Sequence, residues 1–363
     1  MKIGLLGGGQ LGRMLALAGY ALGLRFRTLD LSGEAPAGHL TELMVADFND
    51  LDALRRFSIG LDIITYEFEN VPVASARFLA RRVPVYPPPE ALEMGQDRIT
   101  EKTFFQSLGI PTPPFIAVDT WEDFDSALKR IGLPAVLKSR RFGYDGKGQF
   151  VVERPEDVAP AWRSLGGVPL ILEGFVPFER ELSVLAVRDR AGNTAFYPLV
   201  ENHHAEGMLR LSLAPAPQLD PRLQAEAEDY AKRALDKLNY VGLLAIEFFQ
   251  REGRLFANEM APRVHNSGHW TIEGAETSQF ENHLRAIMGL PLGSTEATGY
   301  SAMVNLIGDV PESRAVLALP ETHLHLYGKS PRPNRKLGHV TIRTKDEETL
   351  QARLAELRSI MKV

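Results

Sequence analysis

The sequence predicts an α/β protein with three parts: an N-terminal doubly wound parallel sheet, a central domain with a small α/β lid, and a small C-terminal α+β domain. Three observations predict this. Short apolar strands alternate with helical stretches as far as residue 86, which is the pattern of a parallel sheet. From Leu170 the pattern changes to successive strands ending in a hairpin. The chain has 363 residues, too many for one ordinary core. Boundaries are expected near 95 and 292, giving parts at 1–95, 96–292 and 293–363, with the lid at about 113–170.

The elements follow in order. Residues 2–6 form an apolar strand, followed by Gly7-Gly8-Gly9-Gln10-Leu11-Gly12 and a helix to about Leu22. Further strands are expected at 24–30, 61–67 and 83–86, with a helix at 51–57 among the stretches between them. Pro87-Pro88-Pro89 marks a break, and one helix is expected over about 90–108. After Gly109–Pro114 come a strand at 115–118, a helix at 121–131 and strands at 135–139 and 149–153. Strands at 170–173, 180–188, 194–200 and 208–213 precede a helix at about 221–238. The hairpin spans 243–250 and 254–260. Ser278 and Glu281 read as a capping box for a helix reaching Met288. The tail holds a strand at 339–343 and a helix with Leu350, Leu354, Leu357 and Met361 on one face.

Composition narrows the function classes. Apolar residues make up 44% and charged residues 24%, the balance of a water-soluble globular protein. The net charge of −5 gives no general pull toward nucleic acid or anionic lipid, so neither is expected as a partner. The absence of cysteine excludes disulfides, thiol catalysis and thiolate metal sites, and fits a cytoplasmic location. No apolar run reaches the roughly 18 residues needed to cross a bilayer. The run Ile3–Leu6 ends at Gly7–Gly9 and Arg13 follows, which reads as strand, turn and helix rather than a secretion signal.

The hairpin carries Glu247 and Glu259. A three-residue loop, Arg251-Glu252-Gly253, would set Ala245 against Glu259 and Glu247 against Ala257. The two carboxylates then share a face, diagonally, at roughly 7–8 Å. Their neighbours Leu243, Leu244, Ile246, Phe248, Phe249 and Phe256 are apolar, so a cation is expected nearby. Mg²⁺ suits carboxylate and phosphate oxygens. Strict alternation turns Asn258 away from Glu259, so both can reach one ligand only if the strand is twisted or bulged there. Upstream, Gly143, Gly146 and Gly148 punctuate a loop bearing Lys147, as a phosphate-cradling loop would, with Lys138 in the strand before it.

Taken in order, Lys138, the glycine-rich loop, Glu173–Val176, Glu181, Glu247 and Asn258-Glu259 resemble the ATP-grasp superfamily. The resemblance narrows further. Gly7–Met14, Tyr66–Val71, Gln96-Asp97-Arg98, Tyr144–Gln149, Glu201–His204, Asn258–Trp270 and Tyr327-Gly328-Lys329 continuing to His339 resemble the 5-(carboxyamino)imidazole ribonucleotide synthase family. It covers nearly the whole chain, with 290–325 the least recognisable part. It implies an ATP-grasp domain in the centre of the chain and ATP-dependent ligase chemistry in purine synthesis. ATP phosphorylates bicarbonate to carboxyphosphate, which carboxylates the amine of aminoimidazole ribonucleotide. It also implies Mg²⁺, with Mn²⁺ as an alternative, and a homodimer.

Residue by residue, the resemblance implies that Arg98, Lys138, Gly143, Tyr144, Asp145, Gly146, Lys147, Gly148 and Gln149 contact ATP phosphates. Glu173, Gly174, Phe175 and Val176 bind adenine, Glu181 the ribose, and His204, Asn258 and Glu259 line the nucleotide site. Glu247 and Glu259 hold the metal. Gln10, Leu11, Glu67, Asn266 and Ser267 are expected at the imidazole ribonucleotide, with Lys329, Arg332, Arg335 and Lys336 at its 5′-phosphate. Arg263, His265, Tyr144 and Asp145 are candidates for the chemistry. One rival class is a dinucleotide-dependent oxidoreductase, since Gly7, Gly9 and Gly12 fit G-x-G-x-x-G and Asp30 follows. Others are a formate-using transformylase and a non-catalytic nucleotide-binding regulator.

Overall fold

The computed structural model describes residues 1–143 and 148–361. Its first sheet is parallel, in the order Glu42–Val45, Arg25–Asp30, Lys2–Leu6, Ile63–Tyr66. Lys2–Leu6 and Ile63–Tyr66 are almost wholly buried, as parallel strands covered on both faces must be. The strand expected at 83–86 is only a bridge between Ile64 and Val85. Pro84 and Pro87 lack the N–H that would extend it.

The helix expected at 90–108 is two helices, Pro89–Gly95 and Arg98–Ser107. Asp97 separates them because its carboxylate accepts the Ile99 and Thr100 amides, capping the second helix. The lid follows as an antiparallel sheet in the order Phe115–Val118, Leu170–Gly174, Ala135–Ser139, Gln149–Val152. Helices Trp121–Ile131 and Val158–Leu165 cover it.

A nine-stranded sheet makes up the rest. It runs from the edge strand Arg254–Ala261 through Gly242–Arg251, Arg180–Arg188, Val200–Ala205 and Met208–Ala214. It continues into Tyr300–Ile307, Lys336–Thr344 and Thr322–Leu326, while Thr194–Phe196 pairs with Arg180–Arg188. The expected strand 194–200 is thus split, at Pro198. The C-terminal strands extend the central sheet, and the helix Glu347–Met361 packs Leu350, Leu354 and Leu357 onto them. Ser278 does cap its helix, accepting the Glu281 amide at 3.1 Å, but the Glu281 carboxylate pairs with Arg285 rather than closing a capping box. One core joins the first sheet to the large one: Ile3 and Leu15 lie in the same cluster as Leu185, Leu243, Trp270 and Leu284. That contact runs through helix Gln10–Ala21, which packs on helix Gln279–Met288, itself packed on Gly242–Arg251. Among the described residues no helix is long and apolar enough to cross a membrane.

Candidate active site

The hairpin register differs from the expected one. Arg251 pairs with Arg254, leaving a two-residue turn of Glu252 and Gly253 with φ of 51° and 67°. Positive φ at both positions is the type I′ turn that matches strand twist. This register runs Gln250–Leu255, Phe249–Phe256, Phe248–Ala257. Continued unchanged, it would pair Glu247 with Asn258 and turn Glu259 to the other face. A bulge intervenes, and Glu247 stands directly opposite Glu259 with Asn258 as the extra residue. The diagonal placement is therefore replaced by a direct one, and the strand is bulged at Asn258, which is the condition stated for Asn258 and Glu259 to reach one ligand.

The carboxylates sit where two cavities meet. One, of about 300 Å³, is lined by Lys138, Gln149, Glu173, Gly174, Phe175, Val176, Glu181 and Asn258. The other, of about 320 Å³, is lined by Gln10, Leu11, Glu69, Gly143, Arg263, His265, Asn266 and Lys336. Arg98, His204, Glu247 and Glu259 line both. The expected nucleotide residues among those described fall mainly in the first chamber; of the expected substrate residues, Gln10, Leu11, Asn266 and Lys336 line the second, and Glu67, Ser267, Lys329, Arg332 and Arg335 do not. Tyr144, Asp145, Gly146 and Lys147 lie outside the described residues.

Electrostatics separate the two carboxylates. Burial and the facing Glu259 push the Glu247 carboxyl up to about 7. Burial acts the same way on Glu259, yet Arg98, donating to its Oε2 at 3.0 Å, holds it below the ordinary value. Glu259 lies deep in the fold but keeps its carboxylate open to the cavity. Among the described residues no three His, Asp or Glu side chains are grouped to hold an ion. Two facing carboxylates suit Mg²⁺, which takes few protein ligands and completes its shell with phosphate and water oxygens.

In the first chamber Glu173 is buried between cations. Lys138 donates to its Oε2 at 2.9 Å, and Lys102 lies 3.3 Å away. Burial opposes ionisation, but Lys102, Lys138 and Arg98 outweigh it and hold the carboxyl at about 2. Lys138 is thereby fixed at the cavity wall. His204 Nδ1 lies 3.0 Å from Glu181 Oε2, and the surrounding carboxylates raise its basicity against the opposing effect of burial. Two buried oxygens at this chamber have no protein partner, Asn258 Oδ1 and Glu173 Oε1. Phe178 and Phe249 stack at 4.8 Å beside them.

In the second chamber Arg263 is paired with Glu69 and also donates to Val264 O at 3.0 Å. His265 is held well below its ordinary value by burial and by Arg263 and Lys336. A donor chain runs into its ring: Asn202 Nδ2 to Ser183 Oγ, Ser183 Oγ to Ser267 Oγ, and Ser267 Oγ to His265 Nδ1, at 2.9, 2.8 and 2.9 Å. The Ser267 amide also points at Nδ1 at 3.4 Å. The chain makes Nδ1 an acceptor, so the proton sits on Nε2, 3.5 Å from Glu247 Oε1. Ser267, expected at the substrate, is fully buried behind His265. Asn266 lines the chamber and exchanges two amide hydrogen bonds with Asn305, at 3.0 and 2.8 Å.

The glycine turn resolves the dinucleotide rival. Glu67 Oε1 accepts the Gly9 amide at 2.8 Å and Oε2 the Gly12 amide at 3.3 Å. A carboxylate of the protein thus fills the anion position at the helix N-terminus that a pyrophosphate would need. Asp30, which would face a ribose, accepts the Gly8 amide at 2.7 Å. Glu67, expected at the substrate, does not line the second chamber. Of the basic loop, Lys329 hydrogen-bonds Gln10 and Lys336 lines the chamber, while Arg332 is exposed and Arg335 donates to Ser330 O.

Sequence reasoning missed Glu69, Glu101, Lys102 and Arg140. Glu101 and Lys102, which no motif singled out, are both buried. Only the position of Met260 and Asn258 against that helix reveals their partners.

A lid over a hairpin that carries facing carboxylates defines an ATP-grasp enzyme. The comparisons agree: the ATP-grasp domain matches residues 103–280, the ribonucleotide synthetase preATP-grasp domain 1–96, and the phosphoribosylaminoimidazole carboxylase C-terminal domain 301–353. The chain belongs to the N5-carboxyaminoimidazole ribonucleotide synthase family, the ATP-dependent ligases of purine biosynthesis. It is 56% identical to the family member from Pseudomonas aeruginosa over 361 residues, covering 99% of each chain. The crystal structure of the synthetase from Thermus thermophilus superposes with a TM-score of 0.95 at 62% identity, covering 99% of this chain and 98% of that one. The Aspergillus clavatus synthase, solved in complex with ADP and 5-aminoimidazole ribonucleotide, gives 0.93 at 29% identity, covering 100% and 99%.

Proposed function

We propose that this chain uses ATP and bicarbonate to carboxylate the exocyclic amine of 5-aminoimidazole ribonucleotide, releasing ADP and phosphate. The observation that carries this reading is the meeting of two chambers at Glu247 and Glu259. ATP occupies the lid chamber, with adenine at Glu173–Val176, ribose at Glu181 and phosphates toward Arg98 and Lys138. The unpartnered Asn258 Oδ1 supports a ligand contact there. The imidazole ribonucleotide occupies the second chamber, with its 5′-phosphate toward Lys329 and Lys336.

Glu247 and Glu259 would hold Mg²⁺, or Mn²⁺ in its place, which when bound neutralises phosphate oxygens. The chain's own groups supply positioning and charge. Arg98 places positive charge beside the γ-phosphate path, and bicarbonate oxygen attacks that phosphorus to give carboxyphosphate and ADP. Arg263 exchanges Glu69 for the carboxyphosphate anion. The amine then attacks the carboxyl carbon, forming the N–C bond as the carboxyl–phosphate bond breaks, and its proton passes to the departing phosphate. His265, neutral with its proton on Nε2, donates to an anionic oxygen in this arrangement. A homodimer in the cytoplasm belongs to the same proposal and rests on family resemblance.

The test is phosphate release from ATP. It should be slow with Mg²⁺ alone and rise strongly when aminoimidazole ribonucleotide and bicarbonate are both added. No stimulation by that pair refutes the reading.

A further inference from the structure

The strand that carries Glu259 is the edge of the large sheet, so its outer backbone groups have no neighbouring strand. They are nonetheless satisfied. The Ala257 amide donates to Pro111 O at 2.7 Å. Lys102 Nζ donates to Asn258 O at 2.9 Å, and the Met260 amide donates to Glu101 Oε1 at 2.6 Å. Between these two, Arg98 holds the Glu259 carboxylate itself at 3.0 Å. The bulge residue and the two after it are therefore each gripped by one residue from the first turns of a single helix, Arg98–Ser107.

That helix is in turn tied to the lid. Asp97, its cap, receives Arg140 at 2.9 Å, and the Arg98 amide donates to Arg140 O at 3.0 Å. A bulge is the one place in a hairpin where the ladder does not fix the side chain's direction, because the extra residue is unpaired. Something outside the ladder must fix it.

We propose that Glu101 and Lys102 are positioning residues for the metal-binding carboxylate: they set the bulge at Asn258 and thereby aim Glu259 at Glu247. Neither touches the reacting atoms in this role. Glu101 acts as a hydrogen-bond acceptor for the Met260 amide, and Lys102 as a donor to the Asn258 carbonyl. The inference rests on the reading that Glu247 and Glu259 hold the metal.

The test is Mn²⁺ binding by the full chain in the presence of ADP, read by electron paramagnetic resonance of the free ion, with thermal unfolding alongside. Loss of an outer-shell partner weakens metal affinity about 10–100-fold. Glu101→Ala should show such a loss, and Glu101→Gln, which keeps an acceptor oxygen, should recover most of it. Lys102→Met should weaken Mn²⁺ binding as Glu101→Ala does, and it serves where Glu101→Ala does not fold. A folded Glu101→Ala or Lys102→Met protein with unchanged Mn²⁺ affinity overturns the proposal, as does an equal loss in Glu101→Gln. Glu259→Gln, measured in parallel, separates the two readings. If it binds Mn²⁺ like the unaltered chain, the metal assignment fails instead.

Discussion

Glu247 and Glu259 face each other across the hairpin because Asn258 interrupts the register between them. The same interruption leaves Asn258 Oδ1 buried without a protein partner. A buried unpaired acceptor costs about 1–3 kcal/mol, whereas a hydrogen bond accepted from a neutral ligand donor, such as a ribose hydroxyl, contributes about 0.5–1.5 kcal/mol. Asn258→Ala should therefore act in opposite directions on the free and bound protein. Thermal stability of the ligand-free chain should stay level or rise, while KM for ATP should rise about two- to tenfold. Calorimetry and initial rates measure the two. Equal losses in both would show that Asn258 only supports the strand.

Glu67 should behave as part of the glycine turn. Burial raises its carboxyl above the ordinary value, against the Gly9 and Gly12 amides whose hydrogen bonds its two oxygens accept. Glu67→Gln keeps an acceptor oxygen for one amide but sets an NH2 against the other, and should destabilise by about 1–3 kcal/mol. Glu67→Leu strands both amides and should destabilise by about 1–3 kcal/mol for each that stays unpaired. A Leu variant as stable as the Gln variant would contradict this. Neither should bind a nicotinamide dinucleotide.

Much of this was legible in the sequence, for identifiable reasons. The parallel sheet announces itself because Ile3–Leu6 and Ile63–Tyr66 are buried on both faces and so read as apolar runs. The hairpin was legible but its register was not. Whether Glu252 takes a positive φ decides between two-residue and three-residue turns, and composition does not reveal it. Strands Tyr300–Ile307 and Thr322–Leu326 were missed because one face of that sheet buries polar side chains. Asn305, His339 and His325 lie in one row across three strands, and His269 packs on His339 at 4.8 Å. Apolar alternation is lost where histidine and asparagine form part of the interior. Glu101 and Lys102 escaped for the related reason that a buried charge looks like a surface charge until its partner is known.

Lys329 should impose an alkaline limit on substrate capture. Burial, with nearby Arg335, Lys336 and Arg332 adding repulsion, lowers its ammonium to about 8, although Glu67 opposes this. The charged form therefore prevails below pH 8 and is lost above it. If Lys329 meets the 5′-phosphate, kcat/KM for the ribonucleotide should fall up to tenfold per pH unit above about 8, with kcat at saturation changing less. Lys329→Arg keeps its charge throughout this range and should remove that limb. A limb that persists in the Arg variant assigns it to another group.

His283 should make the junction between the two large sheets acid-sensitive. The Leu243 amide donates to its Nδ1 at 3.1 Å, so the ring proton sits on Nε2, 2.9 Å from Thr65 Oγ1. One imidazole thus ties the first sheet to the strand that carries Glu247. Burial lowers its basicity to about 3, against about 6.5 when unfolded. Between those values the unfolded chain holds a proton that the folded chain lacks, so stability falls as pH drops from about 6.5 toward 3 and is fully present above 6.5. His265, His269 and His339, also lowered by burial, act in the same direction. The signature of His283 is therefore a difference in slope. His283→Gln should be less stable at pH 7.5, having lost one or both hydrogen bonds. Its stability should also decline between pH 6.5 and 4.5 with one proton less than the unaltered chain. Denaturant unfolding at several pH values reads both quantities, and parallel slopes would mean that His283 is already protonated in the folded protein.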